Sequence, residues 1–254
     1  MQLIGKGEVM ALNYQLDQGF GGGARLGMIV LSTDETIENE ARSIMAGRDV
    51  SLLHARIPAQ PDVTPQSLAM MAQDMPQTAA LLPQGMKAIA YACTSGATII
   101  GPEKVQALVR EHHPGVPVSN PISAVIAALG ALNARRIGFV SPYVASVNAP
   151  MRAYLAQNDI ETLAETSFAQ KDDWTVARIT EASTRAAILE IGKSNRVDAV
   201  FVSCTNLRTF GVIDSVEAEL GVPVISSNLA LIWHLLKLGQ VEAKGWGPGR
   251  LFEL

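Results

Sequence analysis

Short β-rich apolar runs alternate along this chain with longer segments of helical periodicity, and no other feature restricts the possible folds as much. The runs lie at 28–32, 50–57, 87–92 and 116–119, then at 137–141, 160–167, 198–203 and 223–226. Between them fall helical patterns at 35–45, 64–82, 102–112, 122–132, 147–157, 173–193 and 228–238, several opened by Pro or a capping residue. Parallel strands need a crossover of about a dozen residues or more, and helices of this length supply it. The expected class is therefore α/β, built from right-handed βαβ units, with the strands divided into two groups of four.

The two halves also match in sequence. RLGMIVLST from Arg25 parallels RRIGFVSPY from Arg135, and AIAYACTSGAT at 88–98 parallels AVFVSCTNLRT at 199–209. GVPVSNPISAVIAAL from Gly115 parallels GVPVISSNLALIWHL from Gly221. Three matches in one order indicate an internal duplication. The expected architecture is two pseudo-symmetric lobes, each a four-stranded parallel sheet flanked by helices, with the active site in the cleft between them. Lobe one is read as 25–119, with 227–254 packing back on it, and lobe two as 120–226; 1–24 is an N-terminal arm. The glycines of GFGGGA precede the first strand instead of joining a strand to a helix, so they are a flexible lead-in and not a dinucleotide fingerprint.

The chain has two cysteines, Cys93 and Cys204, at the same point of the matched motif. In open parallel sheets ligands sit beyond the carboxyl ends of the strands, which puts the thiols on opposite walls of one cleft. A helix N-terminus lowers a thiol pKa from its ordinary ~8.5, so thiolates are expected. Thr94-Ser95-Gly96 and Thr205-Asn206 add hydroxyls, an amide and backbone N–H groups suited to a carboxylate or a developing enolate. Opposed thiols can take a proton from one face of a carbon and return one to the other, or add to a double bond while the partner manages a proton. Neither route needs a metal or an organic cofactor. The competing reading is two small buried residues at strand ends, against which the repeated hydroxyl-rich turn argues.

A formal net charge of −4 and a pI of about 5.6 leave no basic stripe for nucleic acid or an anionic membrane. The first residues lack the apolar core of a secretory signal, and no run reaches the ~18 apolar residues of a membrane span. A cytoplasmic protein with reduced thiols and a small-molecule partner is expected. None of the four histidines stands at ligand spacing from a cysteine, so no metal site is expected.

On ACTSGA and SCTNLR, supported by GMIVLSTDETIE, VSPYVASVN and DDWTVARI, the chain from Arg25 onward resembles the aspartate/glutamate racemase superfamily. Within it the similarity is greatest to the maleate cis-trans isomerase and ectoine-utilisation branch. The resemblance implies a cofactor-independent enzyme and a homodimer or higher homo-oligomer. It makes Cys93 nucleophile or base and Cys204 the opposing acid or base; Tyr143 offers its hydroxyl to a substrate carboxylate, and Thr94, Ser95, Thr205 and Asn206 line the anion pocket. Where maleate isomerases carry asparagines that hold substrate carboxylates, this chain has Asp34 and Asp173. Carboxylates repel a dicarboxylate in a desolvated cleft. The expected substrate therefore pairs one carboxylate with a cationic or hydrogen-bond-donating group, as in an amino acid or its N-acyl derivative. Both aspartates also stand where a helix N-cap would, and Arg208 either reaches a carboxylate or caps a turn. An arylmalonate-type decarboxylase, which keeps only the second cysteine, and a non-catalytic binding module are the alternatives.

Overall fold

The structure is a computed structural model that describes residues 11–194 and 196–254, so residues 1–10 of the expected arm lie outside the described residues. Strands β1 (Ala24–Leu31), β2 (Val50–Ile57), β3 (Ala88–Ala92) and β4 (Val118–Ser119) form one sheet in the order β2-β1-β3-β4. Strands β5 (Arg136–Tyr143), β6 (Glu161–Gln170), β7 (Ala199–Val202) and β8 (Val224–Ser226) form a second in the order β6-β5-β7-β8. Every pairing is parallel, and the two sheets repeat one topology. The central strands are buried on both faces: all of β3 and β7 and Leu26–Leu31 of β1 are core, which explains why they read as continuous apolar runs.

The helices are α1 (Ile37–Met45), α2 (Pro65–Ala79), α3 (Thr94–Ile100), α4 (Pro102–Arg110) and α5 (Pro121–Ala131), followed by α6 (Ala145–Gln157), α7 (Asp173–Arg178), α8 (Glu181–Ser194), α9 (Ile213–Leu220) and α10 (Ser227–Leu238). A 3-10 turn, Arg250–Glu253, ends the chain. The segment expected as one helix at 173–193 is two. Ile179 leaves the helical region with ψ 126°, and Thr180 Oγ1 accepts from Ser183 N (3.2 Å) to start the second. Helices α3 and α9 were not expected. Helix α10 packs on α5 and over β3 and β4. Among the described residues no helix is long and apolar enough to cross a membrane.

Gly21 and Gly23 are more than a flexible lead-in. A Cβ on Gly21 would lie 2.5 Å from Ser51 N and one on Gly23 2.6 Å from Asp49 O, so only glycine lets the chain lie this close to the start of β2. The lobes touch where the loop after β2 meets the loop after β6. Asp62 and Asp172 form an antiparallel bridge there, with Val63 N donating to Lys171 O (2.8 Å) and Asp173 N to Pro61 O (3.2 Å).

Candidate active site

Cys93 follows β3 directly and is the N-cap of α3, with extended backbone (φ −149°) and its Sγ accepting from Gly96 N (3.2 Å). Gly96 is confined: a Cβ there would stand 2.6 Å from Tyr91 Oη and 2.9 Å from Cys93 Sγ. Gly96→Ala is therefore expected to push the sulfur out of line and lower kcat about a hundredfold while the fold loses only about 1–3 kcal/mol. Steady-state kinetics beside a thermal melt would check it; unchanged kcat would show that the packing relaxes without moving Sγ.

Cys204 lies in a different local structure from its counterpart. It follows β7 after Ser203, but the next helix, α9, starts only at Ile213, so this thiol does not cap the helix that follows its strand. Its φ of +102° falls where side chains are strained, at about 1–3 kcal/mol. Its Sγ accepts from Asn206 N (3.3 Å) and meets Tyr143 Oη at 3.2 Å. Ser227, at the start of α10, ties the two cysteine loops together: its Oγ accepts from Cys204 N (3.0 Å) and from Thr94 Oγ1 (2.8 Å). Thr205 Oγ1 crosses between lobes to Ala92 O (3.3 Å).

Asp34, Cys93, Thr94, Ser95, Tyr143, Asp173, Cys204, Thr205 and Asn206 line one cavity, completed by Leu31. The two cysteines and the seven candidate binding residues named from the sequence are thus brought to one place, and Arg208 is not among them. The space they enclose is about 10 Å³, enough for a single water at most.

The two aspartates differ. Asp34 Oδ1 accepts from Thr36 N (2.8 Å) and Ile37 N (3.0 Å), bracing the start of α1 from two residues before its N-cap, which is Thr36 and not Asp34. Its Oδ2 is buried without a hydrogen-bond partner among the described residues. The Thr205 hydroxyl lies near enough to ease the charge, yet its hydrogen bond goes to Ala92 O. Asp173 does not cap α7; Asp172 does, with Oδ1 accepting from Thr175 N (2.8 Å). Asp173 instead accepts from Tyr143 Oη at Oδ1 (2.6 Å) and from Thr33 Oγ1 at Oδ2 (2.5 Å). Burial raises the pKa of both aspartates. The main chain at Tyr143 is fixed through its carbonyl, which accepts from Asn148 Nδ2 (3.0 Å) and from Ser167 Oγ.

Asn206 spends its side chain on holding the lobes together. Its Nδ2 donates to Asp173 O (3.0 Å) and Thr33 O (3.3 Å), and its Oδ1 accepts from Glu35 N (2.8 Å). Only its backbone N–H is turned to the Cys204 sulfur. Arg208 caps a turn through Ile179 O (2.9 Å).

The expectation of thiolates is corrected by the environment. Burial, reinforced by the nearby Asp173 charge, pushes the Cys93 thiol up to about 12 despite the Gly96 N–H. Cys204 is driven well above its ordinary value by burial and then by Asp173, against the Tyr143 and Asn206 contacts. Both sulfurs rest as thiols, because a desolvated site penalises the anion more than a few donors favour it.

Sequence reasoning missed Thr33, Ser227, Asn228 and Glu40. Glu40 is buried on α1 and reaches across to the other lobe. Its Oε1 accepts from Thr209 N (2.8 Å) and Phe210 N (3.0 Å), and its Oε2 from Asn228 Nδ2 (2.7 Å). Asn228 Nδ2 also donates to Thr205 O (2.8 Å). The available signal was an acid set within the apolar stripe of Ile37, Ala41 and Ile44.

Residues 26–252 match the family model described as arylmalonate decarboxylase. A maleate isomerase of Geobacillus stearothermophilus is 25% identical over 227 residues, 84% of this chain and 90% of that protein. An arylmalonate decarboxylase of Bordetella bronchiseptica is 31% identical over 141 residues, 55% of this chain and 59% of that protein. Among solved structures, a mutant Nocardia farcinica maleate cis-trans isomerase with a covalently bound succinylcysteine intermediate superposes with a TM-score of 0.80 at 22% identity, covering 90% of this chain and 98% of that one.

Proposed function

The chain belongs to the arylmalonate decarboxylase family, and from that membership we propose that it is a cofactor-independent isomerase or racemase of a small carboxylic acid. The observation that carries this reading is the meeting of Cys93 and Cys204 in one cavity, each held by backbone N–H groups of its own loop. One sulfur takes a proton or adds to the substrate carbon; the other returns a proton from the opposite wall. A decarboxylase of the Bordetella type is the second reading, favoured by the family model. Against it stands Cys93, a second thiol that a one-cysteine mechanism leaves idle.

Asp34 defines the substrate further. A buried carboxylate oxygen without a partner on a cavity wall calls for a ligand N–H or O–H. An amino acid or N-acyl amino acid supplies one beside its single carboxylate, whereas a second carboxylate would be repelled. Ser95, whose hydroxyl reaches Cys93 Sγ only loosely at 3.9 Å, is free to turn toward that carboxylate. Leu31 provides the apolar wall.

Incubation with single enantiomers of amino acids and N-acyl amino acids, with maleate and with arylmalonates in deuterated water discriminates the readings. Proton NMR is expected to show loss of the α-hydrogen and appearance of the mirror-image product. Carbon dioxide release without racemisation would establish the decarboxylase instead, and binding without exchange a non-catalytic module. Asp34→Asn is expected to weaken the amino-type substrate about ten- to a hundredfold and to improve binding of dicarboxylates. Equal KM values in the variant would remove Asp34 from substrate recognition.

A further inference from the structure

Asp173, Tyr143 and Cys204 form an unbroken chain of contacts. Cys204 Sγ lies 3.2 Å from Tyr143 Oη, and that phenol donates to Asp173 Oδ1 at 2.6 Å. The second oxygen of Asp173 is held by Thr33 Oγ1, so the carboxyl has a fixed orientation with Oδ1 toward the phenol. The main chain at Tyr143 is held at its carbonyl by Asn148 and Ser167, and the ring itself is buried. Among the described residues no carboxylate is hydrogen-bonded to a partner of Cys93 in this way; its sulfur accepts from Gly96 N and lies beside the buried Tyr91 phenol, which donates to Met71 Sδ (3.4 Å).

We infer that Asp173 acts as the proton acceptor for Cys204 through Tyr143, a relay that makes Cys204 the thiol able to ionise first. The Cys204 S–H proton passes to Tyr143 Oη as the phenolic proton passes to Asp173 Oδ1. The S–H and phenolic O–H bonds break, a new phenolic O–H and a carboxylic O–H form, and the single negative charge moves from Asp173 to sulfur. Tyr143 ends neutral, with its new proton directed at the thiolate, which also keeps the Asn206 N–H. The charge that opposes a Cys204 thiolate is neutralised in the same step, so the two anions never coexist. Asp173 is on this account a positioning and proton-holding residue that works through Tyr143.

The relay deepens the proposed function, but its test uses no substrate, so failure of one is separable from failure of the other. In a Cys93→Ala background, iodoacetamide labelling of Cys204 is timed by mass spectrometry at neutral pH, with and without Asp173→Asn or Tyr143→Phe, on proteins whose melting confirms folding. The expected result is labelling slowed about tenfold or more by either substitution. If Asp173 acted through charge alone, Asp173→Asn would remove an anion beside the sulfur and accelerate labelling; that outcome, or an unchanged rate, overturns the relay. Slowing by Tyr143→Phe alone overturns it as well, and so does a Cys204 inert in the Cys93→Ala parent. Inactivity on every acid tried, with the labelling pattern intact, would count against the substrate reading and not against the relay.

Discussion

Replacing either cysteine with alanine is expected to reduce racemisation about 10³–10⁴-fold, and each variant should keep a different residual activity. With Cys93 absent, only Cys204 can address the bound carbon, so solvent hydrogen should still exchange into one enantiomer without inversion. With Cys204 absent, the exchange should move to the opposite enantiomer. Stability should change little in either case, since both are small buried groups whose loss as packing atoms amounts to about 1 kcal/mol. Proton NMR in deuterated water on each pure enantiomer reads the result. Symmetric exchange in either variant, or racemisation that survives, would rule out two opposed thiols and return the site to a one-cysteine chemistry.

The second large effect is expected at Glu40, which lies outside the lining of the cavity. Glu40→Ala strips the acceptor from Thr209 N, Phe210 N and Asn228 Nδ2 together, in a buried seam between lobes. Orphaned donors there should lower unfolding stability by about 3–5 kcal/mol, and the loop that carries Cys204 and Thr205 should loosen with them. Glu40→Gln keeps an acceptor and separates geometry from charge. Burial raises the Glu40 pKa from 4.5 to about 7, against its hydrogen bonds. A carboxyl with a raised folded-state pKa gives stability that is fully present below 4.5 and lost as pH rises through 7. Relative to the Gln variant, the natural chain should therefore lose about 3 kcal/mol across that window. Denaturant titrations from pH 4 to 8 would show it; parallel curves for the two proteins would mean that Glu40 titrates normally and is not the buried clamp described.

Much of this could be read before any coordinates because burial on both faces leaves a plain record. Strands such as Ala88–Ala92 and Ala199–Val202 are uninterrupted apolar runs, and crossovers of helical length follow nearly all of them. The paired cysteines were legible because the duplication repeats a whole motif. Helix α3 was not, since TSGATII is short, β-branched and broken by glycine, and its stability comes from packing against α2 and not from propensity. The thiolate expectation failed for a related reason. A motif shows that donors follow Cys93, but not that the sulfur is buried deeply enough for desolvation to dominate. Glu40, Thr33 and Ser227 went unnoticed because their partners lie far away along the chain, at separations that no local pattern encodes.

The antiparallel bridge between Asp62 and Asp172 bears on timing. A chamber with room for one water must widen to take in even a small acid, and the bonds from Val63 to Lys171 and from Asp173 to Pro61 are among those that a parting of the lobes would break. An unlatching of this kind would fall on the microsecond to millisecond scale of loop and domain motions, and one of the latched amides belongs to Asp173 itself. The bridge that joins the two loops thus also holds the main chain of the carboxylate behind Tyr143, so that a shift at the latch would carry the aspartate with it.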